Sequence, residues 1–211
     1  MVCARPQGMI IEGVTGAGKT STIAALRSND FVVSRWAPYD FFSEDETFGE
    51  FMTELRERPE LPVEQRLRLL NNVVSMICDR SAKSKRYHFI IERAHFSYYA
   101  LLPKWQLYRT FDEKFATLNA HVFLLWLPEN ELQPRSLYRS EASDCAERFI
   151  EAYGSEAKAL DAIRRSQANR YGAIEKSAIP YTIIDTSAMQ WQRYADEIAG
   201  EVQKGQTARF S

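Results

Sequence analysis

The stretch MIIEGVTGAGKTST, Met9 to Thr22, constrains this chain more than any other part of it. It contains Gly13-x-x-x-x-Gly18-Lys19-Thr20, the spacing of a phosphate-binding P-loop. Each residue type has a physical reason. Glycines let successive backbone N–H groups turn inward around phosphate oxygens, and the helix that follows presents its positive end to them. Lysine at position 19 reaches the β- and γ-phosphates, and the Thr20 hydroxyl can ligate Mg²⁺. Met9-Ile10-Ile11 reads as a short buried strand and Thr20 to Arg27 as a helix, the strand–loop–helix setting that such a loop requires. Gly13, Val14, Thr15, Gly16, Ala17, Gly18, Lys19, Thr20 and Ser21 are therefore the expected ATP-binding set.

Further apolar runs place more strands behind the first. Phe31–Trp36, Tyr87–Ile91, His121–Leu127 and Tyr181–Asp185 read as strands two to five, separated by segments with helical spacing. The helical segments include Phe41 to about Arg58, a longer one opening at Pro62, an aromatic-rich one through Trp105, Phe111 and Leu118, and a closing one from about Met189 to Val202. Strands alternating with helices predict a parallel sheet with helices on both faces, an α/β three-layer sandwich. With 211 residues and no linker-like segment, one domain over 1–204 and a loose tail at 205–211 are expected. In such sheets ligands sit outside the carboxyl ends of the strands.

The totals narrow the partners. A net charge of −1 offers no global field toward nucleic acid or an acidic membrane. No signal-peptide pattern opens the sequence, and Val122–Leu127, its most apolar run, is too short to span a bilayer. Cys3, Cys78 and Cys145 are odd in number and widely spaced, which suits reduced cysteines and a cytoplasmic location.

Phosphoryl transfer asks for positioning and for positive charge around the moving group. Lys19 supplies one charge. Glu92, at the end of YHFII, is the candidate acid for Mg²⁺, and Arg93 beside it points toward an acceptor. Arg135 and Arg139 stand at i, i+4 after strand four, where a pair of arginines could close over the donor phosphates.

Four stretches, IIEGVTGAGKTST, IIERAHFSYYA, LLWLPENELQPRSLYR and QANRYGAI with IPYTIIDTS, resemble the thymidylate kinases and related deoxynucleoside kinases. The resemblance runs in register over nearly the whole chain and is weakest between Asp40 and Lys85. It implies strand order 2-3-1-4-5, a helical lid at about 135–170, and Mg²⁺ handling by Thr20 and Glu92. It also implies substrate or phosphate contact by Arg93, lid roles for Arg135 and Arg139, and adenine flanked by the loop after Asp185-Thr186. Homodimers are frequent in these families. The acceptor side departs from the pattern. Arg35-Trp36-Ala37-Pro38 puts alanine where a carboxylate is expected, and Thr15 stands where thymidylate kinases often have an acid. Asp40, a turn away, is the candidate replacement. Trp36, Asp40, Arg68, Asn72 and Arg93 are the expected acceptor-binding residues.

The expected function is transfer of the ATP γ-phosphoryl group, with Mg²⁺, to a small acceptor: a deoxynucleoside monophosphate such as dTMP first, or a nucleoside. The alternatives are a kinase acting on a non-nucleotide antibiotic or metabolite, and an ATP-binding regulator with no small acceptor.

Overall fold

The protein is described from a computed structural model, covering residues 7–49, 62, 65, 67–138 and 143–207. Five strands form one parallel sheet: β1 (Gly8–Gly13), β2 (Asp40–Phe42), β3 (Phe89–Glu92), β4 (Ala120–Trp126) and β5 (Tyr181–Asp185), in the order β2-β3-β1-β4-β5. The helices are α1 (Lys19–Arg27), α2 (Arg68–Lys83), α3 (His95–Leu101), α4 (Arg109–Thr117), α5 (Glu129–Ser136), α6 (Ser143–Tyr153), α7 (Glu156–Ile174) and α8 (Trp191–Thr207).

Strand periodicity sorts the core into two layers. Along β1, Ile10 packs to one side with Phe89, Ile91, Val122 and Leu124, while Met9 and Ile11 pack to the other with Ile90, Phe123 and Leu125. Alternate residues of a strand point to opposite faces, so a continuous apolar run feeds both. The first layer is closed by α2, α3 and α4, through residues such as Val74, Phe96 and Phe115. The second is closed by α1 and α8, through Ile23, Leu26, Ile198 and Val202. Residues of α7 reach both, with Ile163 in one cluster and Ile174 in the other. Among the described residues no helix is long and apolar enough to cross a membrane.

Strand two needs correcting. Phe31–Trp36 is not extended, because Val32–Trp36 forms a wide π-type helical turn and β2 begins only at Asp40. The Asn29 side chain decides this: its Oδ1 accepts from the N–H groups of Phe31 (3.1 Å) and Val32 (3.3 Å). A capped helical start overrides the β preference of a Phe-Val-Val run. Pro38, joined to Ala37 by a cis bond, therefore precedes the strand instead of ending it. The helix expected from Phe41 to about Arg58 is β2 followed by a second π-type turn, Asp45–Gly49, and its remainder lies outside the described residues.

Candidate active site

The carboxyl ends of β1 and β3 meet α1 and the tip of α5 around a cleft of about 540 Å³. Its wall contains Thr15, Gly16, Gly18, Lys19, Thr20 and Ser21, with Glu44, Arg93, Arg135 and Trp191 facing them. Gly13, Val14 and Ala17, the rest of the expected loop set, are buried behind this surface. The loop turns through left-handed backbone at Gly16 (φ 82°) and Gly18 (φ 86°), conformations that favour glycine. It is also tightly covered. A Cβ at Gly16 would stand 2.2 Å from the Arg135 carbonyl oxygen, and one at Gly18 would stand 2.2 Å from the Trp191 ring. Gly16→Ala is expected to destabilise the protein by about 2 kcal/mol or more, a strained-backbone cost plus a backbone clash, read as a fall in the melting temperature. An unchanged melting temperature would mean that α5 is not docked on the loop.

Lys19 is buried, with Nζ donating to the Val14 carbonyl at 3.3 Å. Burial, helped by the nearby Arg93 charge, brings its ammonium down to about 7, with Glu44 and Glu92 pulling the other way. An anion bound beside such a buried cation would favour its charged form. Thr20 Oγ1 donates to Glu92 Oε1 at 3.4 Å, and burial lifts the Glu92 carboxyl above its usual range against the pull of Lys19. One hydroxyl and one carboxylate at a phosphate cradle suit Mg²⁺, which takes few protein ligands and completes its shell with phosphate and water. Among the described residues no group of three or more His, Cys, Asp or Glu side chains could cage a metal.

The residue that the sequence reading missed is Glu44. Separated from β2 by Ser43 alone, it lines the cleft and pairs with Arg93 at 2.8 Å. Burial pushes its carboxyl up, but Arg93 and Lys19 outweigh that and hold it below the usual carboxylate range. Thr47, in the same turn, ties the segment to β3 by donating to the Glu92 carbonyl at 2.7 Å. The signal was available in Phe41-Phe42-Ser43-Glu44, a short apolar run ending in an acid like the one before Glu92. Placing strand two at Phe31–Trp36, ahead of its true start at Asp40, hid it.

Two expected acceptor residues stand elsewhere. Trp36 is fully buried in the second core layer, its indole stacked on His88 at 4.7 Å, because the π-type turn aims it inward. Asp40 opens β2 opposite Phe89, at the amino-terminal edge of the strands, where it pairs with Arg80 and accepts from Tyr87 at 2.6 Å. It cannot serve a site at the carboxyl edge, so Asp40→Asn is expected to leave turnover within about twofold. A large loss would return Asp40 to the chemistry. Arg68 and Asn72 are exposed on α2, away from the cleft wall.

On the donor side, Arg135 does not reach freely over the cleft. It donates to the Gly16 carbonyl at 2.9 Å and to the Thr186 carbonyl, its guanidinium lies 5.5 Å from the Trp191 ring centre, and Ser136 Oγ donates to the Thr15 carbonyl at 2.7 Å. Asp185 and Thr186 lie behind this contact, Asp185 accepting from the Ser187 N–H at 2.8 Å and Thr186 fully buried. Pro134, Met189 and Trp191 line the cleft near them. Arg139 lies outside the described residues.

No family model matches the chain, and no curated protein matches it. Solved structures do. A shikimate kinase from Acinetobacter baumannii in complex with shikimate is 15% identical, with 96% of each chain covered and a TM-score of 0.53. The YorR protein of Bacillus subtilis, in complex with phosphorylated GDP, is 14% identical over 93% of this chain and 95% of that one, with a TM-score of 0.59. A tunicamycin resistance protein from Deinococcus radiodurans is 15% identical over 94% and 96%, with a TM-score of 0.50. The fold is that of the P-loop kinases. Within the P-loop kinase fold the strand order β2-β3-β1-β4-β5 is the one that the sequence resemblance implied. At these identities the likeness speaks for the fold alone, and the three names span different ligand classes, so the acceptor must be read from local residues.

Proposed function

We propose that this protein is an ATP- and Mg²⁺-dependent kinase that phosphorylates a hydroxyl group of a small molecule. The observation that carries the reading is Glu44, a carboxylate in the same cleft as Lys19 and paired at 2.8 Å with Arg93. A hydroxyl attacking phosphorus must lose its proton, and a base held ionised within the cleft accepts it. In the balanced step the acceptor oxygen bonds to the γ-phosphorus, its proton passes to Glu44, and the bond to the β-phosphate oxygen breaks to release ADP. Lys19 stabilises charge on the transferred group. Thr20 and Glu92 would hold Mg²⁺, which neutralises phosphate charge when bound.

The same carboxylate weighs against the dTMP-like acceptor suggested by resemblance. A phosphate monoester is already an anion and needs no base, and Glu44 would both repel it and occupy Arg93. A neutral hydroxyl compound, a nucleoside or a non-nucleotide alcohol, fits the charges better. A coupled ADP-release assay over nucleosides, nucleoside monophosphates including dTMP, and neutral polyols tests the reading. Stimulation by a hydroxyl compound is expected. Preference for a monophosphate would overturn the acceptor class, and no stimulation by any of them would overturn the kinase reading.

A further inference from the structure

The run Gln167-Ala168-Asn169-Arg170 takes no part in the chemistry above, yet three of its side chains reach across the molecule from α7. Gln167 donates to the Leu127 carbonyl at 2.8 Å and accepts from the Leu127 N–H at 3.2 Å, at the end of β4. Asn169 donates to the Ala100 carbonyl of α3 at 3.0 Å. Arg170, 3% exposed, donates through Nε to Glu12 Oε2 at 3.4 Å and through Nη2 to Ser97 Oγ at 3.1 Å. Its Nη1 donates to the Ser166 carbonyl and hydroxyl, so the guanidinium is well satisfied.

Glu12 is the hub. It has no exposed surface, immediately precedes the P-loop, and accepts from Ser97 Oγ at 2.8 Å and from the Ala94 N–H at 2.7 Å. The last of these bonds matters for the cleft. Arg93 stands at φ 62°, a left-handed conformation that a long side chain adopts only under constraint. Its own N–H is fixed to the Ile11 carbonyl at 3.1 Å, and the next N–H, Ala94, is fixed to Glu12. The two bonds bracket the strained residue and turn its side chain toward Glu44. A carboxylate in this place needs a countercharge, because an unpaired buried charge is costly, and Arg170 supplies it.

We propose that Arg170, acting through the Glu12 carboxylate, is a positioning residue that holds Arg93 in its left-handed conformation facing Glu44. The functional consequence rests on the kinase reading, but the positioning does not. Arginine side-chain NMR of the ¹⁵N-labelled full chain tests it, with the Arg93 Nε–H resonance identified by its loss in Arg93→Lys. In the unaltered protein this buried, ion-paired group is expected to exchange slowly with water. In Glu12→Gln and in Arg170→Gln its exchange is expected to speed up at least tenfold, while MgADP affinity stays within threefold. If either variant fails to fold, Ser97→Ala, which removes one hydroxyl from the hub, is expected to speed the exchange about threefold. Arg93 exchange within twofold of the unaltered protein in folded variants would overturn the proposal. Equal losses of Arg93 protection and MgADP affinity would also overturn it, because they indicate general loosening. With thymidine or glycerol as acceptor, Glu12→Gln is expected to raise the acceptor KM at least tenfold and leave the ATP KM within threefold. Absence of turnover in the unaltered protein would count against the kinase reading and leave the NMR result standing.

Discussion

Glu44→Gln is expected to lower acceptor-dependent turnover by about 10²- to 10⁴-fold, the usual contribution of a positioned general base. Glutamine keeps the shape and removes the basicity. MgADP affinity should therefore change little, and the loss should fall on kcat. Glu44→Asp should recover part of the rate by restoring the carboxylate one methylene back. The pH profile gives a second check. Glu44 is held below the usual carboxylate range, so its folded-state pKa lies under its unfolded value. Its ionised form, and the stability that its pairing contributes, persist above the usual range and are lost only as pH falls through the depressed value. Turnover should thus show no acid limb from Glu44 near neutral pH. A limb near pH 7 would point to another base, and an unaffected kcat in Glu44→Gln would remove Glu44 from proton transfer.

Lys19→Ala is expected to have the largest effect of all, a loss of at least about 10³-fold in turnover. The reasoning is electrostatic: a buried cation at the phosphate cradle acts in a water-poor site, where it is worth more than in solvent. Unlike Glu44→Gln, the change should also weaken ATP binding, because the lysine meets the phosphates before and during transfer. Its neighbours predict a structural side effect. Glu44 and Glu92 both lie close enough for Lys19 to draw their carboxyls down, so removing it leaves two acids less compensated and should raise both. Measured turnover near the unaltered rate would detach the P-loop from the reaction altogether.

What the sequence told and hid has physical causes. β1, β3 and β4 were legible because both faces of the sheet are covered there, which leaves unbroken apolar runs such as Val122–Leu125, while the more exposed β5 was legible from its β-branched run Thr182-Ile183-Ile184. The P-loop was legible because its residue types follow from phosphate chemistry. β2 was not. It is an edge strand of only three residues, Asp40–Phe42, and the more strand-like Phe31–Trp36 is turned helical by one Asn29 side chain. That single displacement drew the search for an acceptor-side carboxylate to Ala37 and Asp40 and away from Glu44. Glu12 and Arg170 were hidden for another reason. They meet across 158 positions of sequence, and no local pattern marks a pair whose meaning is wholly tertiary. Arg135 was placed near the donor loop by its position after strand four and by resemblance, but its bonds to Gly16 and Thr186 depend on how α5 docks.

The contact of Trp191 with Gly18 bears on how the protein is made. The cradle precedes α1, but the indole that lies against it opens α8, the last helix among the described residues. Arg135, which bonds the Gly16 carbonyl, comes from the middle. A nascent chain emerging from the ribosome therefore carries the glycine loop long before the pieces that brace it, and such distant contacts form late and slowly. If the cleft takes ATP as proposed, capture is expected only once synthesis passes α8, so partially made copies would not sequester it.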